Sequence, residues 1–134
     1  MSGMTKEDRM CTGVVDYFRN ALAALGRHSR RGNEKHNPGE SMHWAFDKST
    51  AHADAIMSHL SQRGTIDPET GESHTVAVAW RALALLETEL IEGGATPGRN
   101  VRRAPKVAWD IRGEEPELVQ APLDRFAGLK KGEQ

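Results

Sequence analysis

Apolar residues recur along this chain at three- and four-residue steps in three stretches, and then stop doing so. Val14, Val15, Phe18, Leu22 and Leu25 form one stripe, which predicts a first helix over Asp8 to Arg31. Gly26 and Gly32 weaken its end, and Asn37-Pro38-Gly39 reads as a turn, because proline fixes φ and glycine accepts positive φ. A second helix is predicted to start at Asp47 or Ser49, either of which could cap it, and to end at Gly64, with Ile56, Leu60 and several alanines as its packing side. Thr65 to Gly71 is a connector. Ser73 then caps a third helix, His74 to Glu92, which is apolar almost all round (Val76, Val78, Trp80, Leu83, Leu85 and Leu86), as expected of a helix central in its bundle or packed on a second subunit.

Gly93-Gly94 ends that helix. Beyond it lie Pro97, Pro105, Pro116 and Pro122 with sparse apolar residues and no convincing alternation. This segment reads as an extended arm that wraps a neighbour or is partly disordered, with a short final helix around Leu123 to Leu129. The expected fold is therefore all-α: a bundle of three main helices in residues 1–93, plus an extended C-terminal arm or oligomerisation tail in 94–134.

Composition narrows the function classes. The 134 residues suit one core, and 18 Lys+Arg against 19 Asp+Glu argue against stable binding to nucleic acid, while leaving room for a local phosphate site. Lone Cys11 cannot form an internal disulfide, which fits a reducing cytoplasm. Lys6 to Arg9 are followed by no long apolar run, so no secretory leader is expected. Val76 to Leu86, broken by Arg81, is too short to cross a bilayer. There is no glycine-rich phosphate loop, no dinucleotide fingerprint, no Cys-x-x-Cys pair and no Gly-x-Ser-x-Gly elbow. Cys11 has no obvious base beside it, and Tyr17 is the only tyrosine, which argues against cysteine nucleophilicity and against a stacking platform for single strands.

The chemistry concentrates elsewhere. All six histidines fall between His28 and His74, among Glu34, Glu40, Asp54, Asp67 and Glu69. Imidazoles and carboxylates are what a divalent cation needs, and what a triphosphate on that cation needs around it. On the second helix Lys48, His52 and His59 share a sector, whereas Asp54 lies about 200° round from His52. Either Asp54 faces the site and the histidines support it, or the reverse. Glu34 and Glu40, in the polar run from Gly32 to Glu40, can supply hard oxygen ligands, and Lys35 and Asn37 could reach a phosphate or a base edge; a solvated loop explains that run equally well. The acidic groups from Asp67 to Glu72 also offset the dipole of the next helix, and their spacing does not match a calcium loop. Arg81 sits within the most apolar helix. Its partner is either a carboxylate such as Glu34 or Asp54, or the phosphate of a ligand.

The run Gly32-Asn33-Glu34-Lys35-His36-Asn37-Pro38-Gly39-Glu40, followed by His43-Trp44, Lys48-Ser49, His52-Ala53-Asp54, His59-Leu60, Arg63-Gly64, Asp67, Gly71, His74 and Val78 to Leu86, resembles the bacteriophage dATP/dGTP diphosphohydrolase (MazZ-type) family. That family is related to the MazG-like all-α nucleoside triphosphate pyrophosphohydrolases. The likeness covers about residues 10 to 92. It implies a helical subunit assembled as a homodimer or homotetramer, with Mg²⁺ or Mn²⁺ ions. It implies cleavage between the α- and β-phosphates of dGTP and dATP to a monophosphate plus pyrophosphate, in the host cytoplasm, where dGMP feeds 2-aminoadenine nucleotide synthesis. One feature departs from the wider group. Its Glu-x-x-Glu pair precedes a Glu-x-x-Asp, but neither Glu69/Glu72 nor Glu89/Glu92 is followed by one. The phage-type pattern implies Glu34, Glu40, Asp54 and Asp67 as metal ligands, with Glu34, Asp54 and His59 in the chemistry. Lys35, Lys48, Arg63 and Arg81 would meet phosphates, Asn37 and Trp44 the base or sugar, and His36, His52 and His74 would orient ligands or carry protons. Two rivals compete: an oligomeric accessory protein with a structural metal or partner site, and a phosphohydrolase releasing intact triphosphate. The adjacent His-Asp pair of the second rival is absent, since Ala53 separates His52 from Asp54.

Overall fold

The computed structural model describes residues 3–105, 107–108 and 117–118. The main elements are helices, as the periodicity predicts. A short π-helical turn, Cys11–Val15, precedes α1 (Arg19–His36), followed by α2 (His52–Ser61) and α3 (His74–Glu92). Two-residue strands β1 (Trp44–Ala45) and β2 (Val101–Arg102) pair in parallel, with Trp44 opposite Val101 and Ala45 opposite Arg102. These elements belong to one compact unit, Met1–Arg102. A second unit, Arg103–Gln134, contains β3 (Val107–Ala108) and β4 (Glu117–Leu118), paired antiparallel. The helix expected around Leu123 to Leu129 lies outside the described residues.

The third helix has the predicted limits, and its cap is visible: the Ser73 side chain accepts the Thr75 N–H at 3.1 Å. The first helix differs from its prediction at both ends. It begins after Phe18 and continues through Gly26 and Gly32 to His36. Two interior glycines cost about 1 kcal/mol each relative to alanine. Side-chain bonds of Asn33 offset that cost: its amide donates to the Glu40 carbonyl, and its carbonyl accepts from Asn37 Nδ2 and the His43 N–H. These stitch the returning loop to the last helical turn, so the segment read as a loop is helical as far as His36. In α2 neither Asp47 nor Ser49 is the cap; the helix starts three residues beyond Ser49, after Ala51. The Ser49 hydroxyl is bonded to Arg81 instead. Part of the expected arm is also a strand. Val101–Arg102 closes on β1, and the Phe46 N–H donates to the Arg102 carbonyl at 3.1 Å.

Helix α3 packs against both α1 and α2. The α2/α3 pair is antiparallel, as two contacts show: His52 meets Arg81, and His59 meets His74. Each pair steps seven residues on both helices, so the two contacts are rungs about 10 Å apart on one seam. The apolar core is thin. Phe46, Ala84 and Ile91 are the buried hydrophobics among the described residues, and Leu83 and Leu86 of α3 are each 52% exposed.

Candidate functional site

A cleft of about 950 Å³ opens between the C-terminal half of α1, the β1 segment and the first rung of the seam. Its size is within the range of small-molecule sites. Trp44, Phe46 and Trp80 form an aromatic side, with Trp44 edge-on to both others at centroid separations of 6.3 Å. The polar side carries Lys48, Arg81, His28, His36, His43 and His52, and no carboxylate is among the described residues that line it.

Arg81 settles the question left open by its place in an apolar helix. One terminal nitrogen of its guanidinium donates to Ser49 Oγ at 3.0 Å and to His52 Nδ1 at 3.3 Å. Both partners are neutral. Neither Glu34 nor Asp54 reaches it: Glu34 is exposed and paired with Arg30, and Asp54 is exposed on α2. The rest of the guanidinium fork has no protein acceptor among the described residues.

His52 is 6% exposed and its Nε2 has no partner among the described residues. An arginine can only donate, so Nδ1 must be the accepting nitrogen, and the neutral ring carries its proton on Nε2. Burial, and then the Arg81 charge, hold the His52 pKa below the ordinary imidazole value. Among the described residues the wall thus presents a buried N–H with nothing to donate to, beside an arginine with an open fork. His36, at the exposed edge, is also lowered, first by partial burial and then by Lys48 and Lys35. The depressed value for His52 has a sign: below about pH 6.5 the unfolded chain takes up a proton that the folded chain resists. Stability is full above that pH and declines as pH falls toward the folded value. Thermal denaturation from pH 8 to 5 is expected to show this decline, and His52→Gln to flatten it; identical profiles would refute the burial argument.

At the second rung, His59 Nδ1 and His74 Nδ1 stand 2.9 Å apart, with His74 buried. The intervening connector brings Asp67 to them. Ile66 bridges Ser73, the His74 N–H donates to the Thr65 carbonyl, and Gly71 takes φ +76° to turn the chain. The connector is docked on α1, where Arg31 donates to the Thr70 carbonyl and Glu72 pairs with His28 and Arg31. As a result His59, Asp67 and His74 each offer a ligand atom within 4.8 Å of the others, the one such group of three among the described residues.

The other residues named from the sequence are distributed as follows. Lys48, Trp44, His36 and Asn37 line the cleft with Arg81 and His52. The Asn37 amide is committed to Asn33 and the His43 carbonyl, so it shapes the wall. Lys35 is exposed at the end of α1, and exposed Arg63 donates to the Leu60 carbonyl. Glu40 lies 4.0 Å from His43. Of the two alternatives for α2, the histidines face the seam and Asp54 is turned away from it. Sequence reasoning gave no role in the site to His28, Asn33, Glu72 or Trp80, reading Glu72 only as an offset to a helix dipole and Trp80 only as helix packing. His28 stacks against Trp80 at 5.5 Å, and its place in the histidine cluster was the available signal.

A family model described as dATP/dGTP diphosphohydrolase, N-terminal, matches residues 4–97. No curated protein and no solved structure matches the chain. The match spans most of the chain, which belongs to this family, and membership supports a hydrolase acting on nucleoside triphosphates.

Proposed function

We propose that this member of the dATP/dGTP diphosphohydrolase family binds a purine deoxynucleoside triphosphate in the cleft. It cleaves the bond between the α- and β-phosphates with Mg²⁺ or Mn²⁺. The observation that carries the reading is a wall that, among the described residues, has donors and no carboxylate: the open fork of Arg81, the Nε2–H of His52, and Lys48. A triphosphate supplies acceptors and negative charge to all three, and a planar guanidinium suits its oxygens. Trp44 and Trp80 offer the base an apolar side.

In the reaction a water oxygen bonds to phosphorus, the bridging P–O bond breaks, and the products are a nucleoside monophosphate, pyrophosphate and one proton. A divalent cation would supply an activated water and charge neutralisation; no carboxylate on the described lining of the cleft would hold it, so its ligands would come from outside that wall. Arg81 and Lys48 hold the phosphate oxygens as charge builds on them. His52, kept neutral, donates without adding a second full charge beside Arg81. The same proposal includes a role in phage nucleotide metabolism and assembly into a homodimer or homotetramer. The exposed Leu83 and Leu86 on α3, and Met57 and Leu60 on α2, support that assembly.

The test is a panel of the common ribo- and deoxynucleoside triphosphates with Mg²⁺, Mn²⁺ and Co²⁺, reading each product. Monophosphate plus pyrophosphate from dGTP or dATP is expected. Release of intact triphosphate would mean a different bond is cut, and silence across the panel would leave an accessory protein as the better reading.

A further inference from the structure

The geometry points to a transition-metal site at His59, Asp67 and His74, one seam step from the cleft. Three donors of two kinds converge there from three separate parts of the chain: the end of α2, the connector, and the start of α3. The two Nδ1 atoms face each other at 2.9 Å. Two nitrogens about 2.1 Å from one ion stand about 3.0 Å apart at a right angle and about 3.4 Å apart at the tetrahedral angle. The observed separation, an N–H···N hydrogen bond between the two rings in the metal-free chain, also suits adjacent positions of an octahedral ion once that proton is displaced. Asp67 is already oriented, since its Oδ1 accepts the Glu69 N–H at 2.9 Å while its second oxygen carries no such bond among the described residues.

The donor chemistry selects the ion. Two imidazoles and one carboxylate favour a first-row divalent ion such as Mn²⁺, Co²⁺ or Zn²⁺ over Mg²⁺, which takes oxygen ligands. Three protein ligands leave coordination positions open for water or a phosphate oxygen. The second rung lies about 10 Å along the seam from Arg81 and His52, so the ion and the arginine bracket a span of the order of a polyphosphate. That last link rests on the function proposed above; the binding of the ion does not.

The experiment uses the full chain without nucleotide. Co²⁺ is titrated while visible absorption is read, and melting temperature is followed with Co²⁺, Mn²⁺ and Mg²⁺. One Co²⁺ per chain with d–d bands is expected, together with a rise in melting temperature for Co²⁺ and Mn²⁺ that exceeds that for Mg²⁺. Asp67→Asn, close to isosteric, and His59→Asn, at a half-buried position, are each expected to weaken Co²⁺ binding at least about 100-fold, since loss of even an outer partner of a ligand costs 10- to 100-fold. Circular dichroism confirms that both fold. No Co²⁺ bands in the wild type, or wild-type affinity in both folded variants, would overturn the site. Nucleotide turnover is measured separately. Turnover without a Co²⁺ site retains the hydrolase and removes the site, whereas a Co²⁺ site without turnover retains the site and removes the hydrolase.

Discussion

Arg81→Gln is expected to lower kcat/KM for dGTP by about 10²- to 10³-fold, the loss seen when a preorganised donor is taken from a developing negative charge. The melting temperature should hold or rise. Among the described residues both hydrogen bonds of Arg81 are to neutral groups, Ser49 and His52, so no ion pair there stabilises this half-buried charge. Activity and stability therefore move apart, as they do where a residue is kept for function at a cost to the fold. Arg81→Lys keeps the charge without the planar fork and should recover only part of the loss. Parallel measurement of kcat/KM and thermal denaturation checks this. A variant that unfolds while its remaining folded fraction turns over normally would make Arg81 a packing residue.

Phe46→Ala is expected to cost about 3–5 kcal/mol. Phe46 is 1% exposed and is the one large side chain that is fully buried among the described residues. It sits next to β1, stacks edge-on with Trp44, and its backbone is bonded to Arg102. With so thin a core, such a loss is a large part of the 5–15 kcal/mol of a typical domain. Urea denaturation gives the number, with the slope compared between variants to confirm that only stability has changed. A loss below about 1 kcal/mol would mean that the site around Phe46 collapses without a cavity.

The parts of this fold legible in the sequence are those written in local pattern. Helix α3 was readable to the residue, because a capping serine, an unbroken apolar run and a glycine pair mark both ends. The shared face of His52 and His59 was readable too, since seven residues return to one side of a helix. What they face was not readable. That depends on how α2 lies against α3, and no local signal sets the alignment of Arg81 with His52 or of His74 with His59. The extension of α1 to His36 depends on Asn33 meeting the His43 backbone ten residues later. The β1/β2 pair joins residues far apart in sequence, and two-residue strands carry no periodicity to detect. The carboxylates were the hardest to weigh. Glu34, Asp54 and Asp67 look alike in the sequence, and only the connector's fold sets Asp67 beside the two imidazoles.

The β1/β2 pairing also bears on the order in which the molecule is built. Helices α2 and α3 are joined by the connector between Ser61 and His74 and can dock as soon as both exist, whereas pairing Trp44 with Val101 must wait for a much longer loop to close. Asn100 and Val101 form part of the cleft wall, so the pocket is completed only at that step. A nascent chain would carry its paired histidines well before it could enclose a nucleotide, and the competence to bind would arrive late in folding.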